Sequence, residues 1–266
     1  WAELSRVVRF AMILAALWVS YGGAMIAFAR NNPAVGHALA LLGAALFGGA
    51  IALTAQTFNL SAFRNTGVLI WAVGALATAV AIPSRPVLIL AAVVGGGWLI
   101  SEAQNPAAPA FLWSYPVVFL VSAAAASRLQ SNVTMNLLAI SLGWWIAHSL
   151  FETHRLHGLD GMAASACFAL ICGALALGAG ALRDRGVHGA GVIAAWSAAG
   201  AAAGVFAIQL GLSDADAGLS AIYPVIAGAA LVIAIALAAL QARTGHLKPS
   251  AAIALCAAGV LRFALP

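Results

Sequence analysis

The residues best suited to bind a ligand lie where a long apolar run ends and a short polar run begins. Small residues recur every four positions from Ala44 to Ala52, and the same predicted helix face continues to Gln56. Asn59 follows three residues later, and the next apolar run carries Trp71. In hydrocarbon such groups need a hydrogen-bond partner, which either a ligand in a polar cavity or a neighbouring helix can provide. The pattern therefore leaves two alternatives, a ligand site and a set of interhelical bonds with Trp71 as a packing or interface residue.

A second candidate is the stretch 148–160, the only cluster of metal-type ligands in the sequence. His148 and Glu152 share a helix face if the helix extends that far, and His154 and His157 add a three-residue step. A zinc site needs three or four converging ligands, and the sequence has no His-Glu-x-x-His motif. We therefore predict a solvated loop with interfacial histidines, keep these four residues as weak metal candidates and predict no cofactor.

Other catalytic signatures are missing from the sequence. The apolar runs carry no Asp, Glu, Lys or Arg at mid-depth, which counts against proton-driven transport. Neither a Gly-x-Ser-x-Gly motif nor a P-loop is present. The sequence therefore favours a protein that is not an enzyme.

The composition indicates where these residues are placed. Of 266 residues, 64% are hydrophobic and 7% are charged, whereas soluble domains carry about 25% charged residues. A water-facing surface cannot be built from this inventory, so we predict an all-α, polytopic transmembrane helical bundle. The net charge of +5 is spread over the loops one or two residues at a time, which predicts topology signals and no nucleic-acid partner.

The apolar runs predict about ten spans in a single integral membrane domain, residues 1–266. Asn32 is a predicted N-cap with Pro33 as the first residue of the second span, and Pro116 either kinks the fifth span or marks its true first turn. Polar loops are predicted at 56–65, 102–109 and 152–160. The predicted spans cover residues 7–29, 33–55, 66–82, 87–100, 110–126, 133–150, 162–182, 189–212, 221–240 and 249–265.

The charges of the loops predict the orientation. Loops after even-numbered spans carry Arg64 and Arg155 against five acidic residues, whereas loops after odd-numbered spans carry most of the basic residues against Asp184 alone. The positive-inside rule then places the loops after spans 1, 3, 5, 7 and 9 in the cytoplasm of a bacterium, with the protein in its inner membrane. The basic residues of these loops are Arg30, Arg85, Arg128, Arg183, Arg185, Arg243 and Lys248.

The segment 40–86 also resembles a prokaryotic membrane family known as domain of unknown function 2157. The resemblance is carried by the glycine-rich run through Gly48 and Gly49, by the motif at 55–60 (Ala-Gln-Thr-Phe-Asn-Leu) and by the Leu-Ile-Trp at 69–71. Where the family often has Gly-Asp, this chain has Ser-Ala-Phe at 61–63. The resemblance covers about residues 1–105, the first four predicted spans, leaving six spans in 106–266. It implies a membrane topology but no activity.

Three functions are compatible with these patterns. The first, which the sequence favours because ten spans with short, proline-bounded segments are a common transporter layout, is a carrier or flippase-like protein for a small or lipidic solute, with an outward cavity. The second is a non-catalytic scaffold or complex subunit that forms a homo-oligomer or binds a membrane partner protein. Membrane lipids surround the protein in both cases. The third is an intramembrane metal-dependent enzyme. The predicted ligand-binding residues of the carrier are Gln56, Asn59, Trp71 and Gln209.

Overall fold

The computed structural model describes residues 6–57, 65–157 and 161–213. This part of the chain is helical and contains no strand. The predicted spans nine and ten lie outside the described residues. The helices are α1 (Arg6–Ala29), α2 (Pro33–Thr57), α3 (Thr66–Ala81), α4 (Arg85–Ala103), α5 (Ser114–Arg128), α6 (Asn132–His157), α7 (Gly161–Asp184) and α8 (Ala190–Ser213).

Each of the first eight predicted spans corresponds to one helix, which confirms the all-α fold class. Six of the described helices, α1, α2, α4, α6, α7 and α8, are long and apolar enough to cross a membrane. The other two, α3 with 16 residues and α5 with 15, are shorter than the roughly 20 residues that a span needs. The total of about ten spans stays a prediction.

Local signals fix several helix ends. The N–H of Gly36 donates to the carbonyl of Asn32 at 3.1 Å and that of Val35 to Asn32 Oδ1 at 3.4 Å, so α2 begins at Pro33 as predicted. Pro116 lies in the first turn of α5. Of the two roles predicted for this proline, the structure therefore supports the helix start, where a missing N–H costs little.

The predicted polar loops are shorter than expected, because three helices continue into them. Helix α2 includes Gln56, α4 includes Glu102, and α6 runs through to His157, seven residues past its predicted end. In α6 no Gly or Pro follows Gly143 until Gly158, and Arg155 pairs with Glu152 three residues earlier, a spacing that favours a helix. The prediction that 152–157 forms a loop was therefore wrong.

The chain divides into two compact units, residues 1–141 and 142–266. In the first unit α1 packs on α2, α3 on α4, and α2 on both α3 and α4, while α5 packs on α3 and α4. In the second unit α7 packs along α8, the most extensive helix pair of the described part. The single-domain organisation stays a prediction.

The outward surface of the first unit is apolar. On α1, Trp18 is 72% exposed and Val19 is 73% exposed. A soluble helical unit would present polar side chains at such positions, whereas a lipid-facing helix presents apolar ones. The exposed surface agrees with a membrane-embedded unit.

Candidate functional site

The small-residue face of α2 is covered by the side chain of Trp71 from α3. The indole Nε1–H donates to the carbonyl oxygen of Ala44 at 2.9 Å. The ring lies against Gly48, one turn further along the same face, where a Cβ would overlap the indole. Position 48 therefore requires glycine, because the indole ring occupies the space that a Cβ atom would need.

We call the α2–α3 contact the seam. It contains a second aromatic ring, which comes from α2 and lies on a glycine of α3. Phe47 of α2 lies against Gly74 of α3, and a Cβ on Gly74 would overlap the Phe47 ring. Ile51 continues the contact towards Gly67, where a Cβ would come within 3.1 Å of its Cγ2. Each helix thus supplies both bulky side chains and glycines to the seam, and the contact is apolar and closely packed apart from the single indole bond.

Beyond the seam the α2 face leaves the protein interior. Ala44 is completely buried, while Ala52 and Gln56 are exposed. Gln56 lies at the end of α2, and Asn59 lies outside the described residues. The structure therefore separates Trp71, which is used in packing, from Gln56, which is not part of the seam.

Gln209 lies in α8, in the second unit, and its side chain is outside the described part of the chain. The predicted cavity lined jointly by Gln56 and Gln209 would require residues of both units. It stays a prediction.

A residue that the sequence pattern did not single out is Glu102. The pattern placed it in an outer polar loop, but its side chain is only 1% exposed at the end of α4. Its Oε2 accepts a hydrogen bond from the backbone N–H of Asn65 at 2.8 Å, just before the first residue of α3. A carboxylate at this place satisfies one of the unpaired N–H groups of a helix start and interacts favourably with the helix dipole. One signal could have revealed it, because Glu102 continues the buried stripe of α4 that includes Gly95 and Leu99.

Two other pairs of polar side chains form hydrogen bonds inside the first unit. The hydroxyl of Tyr21 lies 3.2 Å from Thr78 Oγ1, which links α1 to α3. The hydroxyl of Tyr115, a residue only 2% exposed, donates to Ser141 Oγ. Paired in this way, these groups stabilise helix contacts and need no ligand.

The four weak metal candidates lie at the end of α6 without converging. His148 stacks on Trp144, with ring centroids 5.2 Å apart and an angle of 10° between the rings. Glu152 accepts two bonds from Arg155, from Nε at 3.1 Å and from Nη2 at 2.7 Å. His154 and His157 are exposed. Within residues 6–57, 65–157 and 161–213, no three His, Cys, Asp or Glu side chains are grouped so that they could hold a metal ion.

Comparison with known proteins agrees with the membrane architecture. No curated protein and no solved structure matches the chain. Residues 1–88, which include α1 to α3 and the seam, match a family model described as "Predicted membrane protein (DUF2157)". Over these residues the chain is similar to that predicted membrane protein family, which confirms the resemblance predicted from the sequence.

Proposed function

We propose that this membrane protein is a non-catalytic scaffold or complex subunit, and that its first unit is a preformed packing module. The observation that carries the proposal is the bond from Trp71 Nε1 to the Ala44 carbonyl, with the indole lying on Gly48. The α2 face that could have bound a solute is filled by the protein's own side chain. This geometry favours a rigid helical element over a solute path.

The apolar exterior supports the same proposal. Membrane helices associate through close packing and a few polar contacts, since lipid offers no hydrophobic drive towards association. Internal polar pairs, such as Tyr21 with Thr78, help the unit to keep its shape while its outer faces meet lipid or another helix. Such a unit provides a defined surface for a membrane partner or a second copy.

The proposal is tested by the assembly state of the full chain. We extract the protein with its lipid surroundings in copolymer discs and determine the mass by native mass spectrometry. We expect a homo-oligomer or a stoichiometric complex with a membrane protein. This assembly should weaken in Gly48→Ala, which disturbs the seam, and persist in the neighbouring Gly49→Ala, since nothing lies within 4 Å of a Cβ there. A monomer without a partner in every preparation would contradict the proposal.

A second candidate is the carrier or flippase-like protein for a small or lipidic solute. Gln56 supports it, because this amide is exposed beyond the seam and is available to a ligand. A cavity there would have to form between α2 and residues outside the seam. Uptake or flipping by reconstituted vesicles, lost in Gln56→Ala and retained in Ala52→Ser, would favour this candidate over the scaffold.

The metal-dependent enzyme receives the least support from the geometry. The carboxylate of Glu152 is engaged by Arg155, and His148 is stacked on Trp144. Metal analysis of the purified protein tests this candidate, and a stoichiometric transition metal lost in His148→Ala would revive it.

We further propose that the protein resides in a bacterial inner membrane with the α1–α2, α3–α4, α5–α6 and α7–α8 turns in the cytoplasm. The basic residues of those turns support this orientation. Thiol labelling of Asn31→Cys from the cytoplasmic side only, in oriented vesicles, is the expected result. Labelling from the opposite side would reverse the topology.

A further inference from the structure

We propose that a basic cleft at one end of the first unit binds a phosphate group, either that of an anionic lipid headgroup or that of a soluble phosphate. The cleft has a volume of about 440 Å³ and is lined by His37 of α2, by the α3–α4 turn around Arg85 and by the α5–α6 turn around Arg128. Three separate segments of the first unit therefore contribute to one concave surface. Its volume is within the range of roughly 300–1,000 Å³ that is typical of small-molecule sites.

The charge of this end of the unit is uniformly positive. The segments 30–37, 82–86 and 128–132 contain three arginines and one histidine, and no aspartate or glutamate. Positive charges that no carboxylate balances attract anions, most strongly in a concave site. The cleft is therefore selective for an anionic group.

Arg85 is held in place for such a role. Its Nε–H donates to the carbonyl of Leu129 at 2.7 Å, which ties the α3–α4 turn to the α5–α6 turn. Because one edge of the guanidinium is fixed by this bond, its remaining Nη donors are oriented without further ordering. In the described part of the chain this guanidinium makes no other hydrogen bond or ion pair.

Two further lining groups have polar atoms without a protein partner. Within the described residues, the Arg128 guanidinium has neither a hydrogen bond nor an ion pair. His37 packs edge-on against Phe28, with ring centroids 5.1 Å apart, and its Nδ1 is buried without a hydrogen-bond partner. A buried polar atom without a partner is destabilising. A phosphate group in the cleft would accept hydrogen bonds from both arginines.

The chemistry of the donors selects phosphate over other anions. The planar guanidinium matches two oxygens of a phosphate at once, and two such groups can contact opposite sides of a tetrahedral anion. The cleft also lies where helices of the first unit end, the level at which lipid headgroups surround a spanning bundle. A headgroup phosphate and a soluble phosphate share the recognised group, and the experiment must separate them.

The test uses the full chain in nanodiscs of phosphatidylcholine that contain a small fraction of phosphatidylglycerol. Native mass spectrometry then measures which lipid remains bound after the protein is released. We expect preferential retention of phosphatidylglycerol, reduced about tenfold in Arg128→Gln. Arg30→Gln is the matched control, because Arg30 is in the α1–α2 turn at the same end and does not line the cleft. It should change retention less than twofold.

A second arm titrates inorganic phosphate and glycerol phosphate against the detergent-solubilised protein. Binding of either ligand that is lost in Arg128→Gln, without a lipid preference, assigns the cleft to a soluble phosphate. Arg128→Lys keeps the charge but lacks the planar fork, so intermediate binding is expected. Equal losses in Arg30→Gln and Arg128→Gln would reveal a diffuse surface charge and overturn the proposal. It is likewise overturned if neither lipid nor soluble phosphate binds to a wild-type protein of native helix content.

Discussion

The two units use glycine for opposite purposes. In the first unit aromatic rings lie on glycines, as Trp71 does on Gly48 and Phe47 on Gly74. In the second unit Gly204 of α8 faces the backbone of α7, where its Cβ would lie 3.0 Å from both Ala169 N and Ser165 O. One kind of glycine makes room for a large side chain, and the other allows two helix backbones to approach.

Further glycines of α1–α2 and of α7–α8 show the same difference. The α1–α2 contact repeats the ring-on-glycine arrangement, since a Cβ on Gly36 would lie 2.7 Å from the Phe28 ring and one on Gly43 would lie 2.9 Å from the Tyr21 ring. In α7–α8 the partner of Gly200 is small again, because a Cβ on Gly200 would lie 3.0 Å from the sulfur of Cys172. Ring-on-glycine contacts fix which residues pair along two helices. Small-residue contacts fix mainly how close the helices come.

The largest effect is expected for Gly48→Ala. The new methyl overlaps the indole of Trp71, and moving the ring breaks its bond to Ala44. Overpacking together with a lost hydrogen bond should lower the free energy of unfolding by about 3 kcal/mol. The measurement is thermal unfolding in detergent followed by circular dichroism, with Gly49→Ala as the control. An equal loss in both variants would show that helix flexibility, and not the ring, governs this position.

Gly204→Ala is expected to lower the free energy of unfolding by a smaller amount, about 2 kcal/mol. The reason is that the backbones of α7 and α8 must separate by a few tenths of an ångström. The control in the same unit is Gly180→Ala in α7, where nothing lies within 4 Å of a Cβ. That change should be neutral or slightly stabilising, since alanine favours a helix. Both are compared by the same unfolding measurement, and a neutral Gly204→Ala would show that α7 and α8 are not in backbone contact.

Rescue separates the two kinds of glycine. Adding Trp71→Leu to Gly48→Ala removes the ring that the new methyl group meets. The double variant should therefore lose about 1–2 kcal/mol less free energy of unfolding than the sum of the losses in the two single variants. Adding Ala169→Gly to Gly204→Ala leaves the backbone atoms of α7 in place. This second change should therefore recover less of the lost free energy of unfolding than Trp71→Leu does. The measurement is a double-mutant cycle on unfolding. Additive effects at positions 48 and 71 would contradict the ring-on-glycine contact.

The smallest effect is expected for Trp71→Phe, which keeps a ring on Gly48 but removes the donor to Ala44. One neutral hydrogen bond contributes about 1 kcal/mol, and its loss should appear as a small decrease in the melting temperature. No loss of assembly is expected. If Trp71→Phe abolished assembly or transport while leaving the stability unchanged, the indole N–H would have a functional partner other than Ala44.

The sequence predicts local structure well and tertiary use of single residues poorly. Asn32 followed by Pro33 is a local helix-start signal, and α2 begins there. In contrast, a tryptophan at the membrane interface and one that packs between helices look the same in the sequence. The bond from Trp71 to Ala44 could not be predicted, because it depends on how α3 packs against α2. The burial of Glu102 was likewise set by the start of a different helix, α3.

The central claim is that the α2 face at Ala44 is closed by Trp71 and inaccessible to a ligand. It is tested by labelling Ala44→Cys with a water-soluble maleimide in membranes, with Gln56→Cys as the exposed reference and the native cysteines replaced by alanine. We predict rapid labelling at position 56 and labelling at position 44 only after denaturation, because Ala44 is completely buried. Labelling of position 44 in the folded protein at a rate similar to that of position 56 would reveal a water-filled path along α2 and contradict the account.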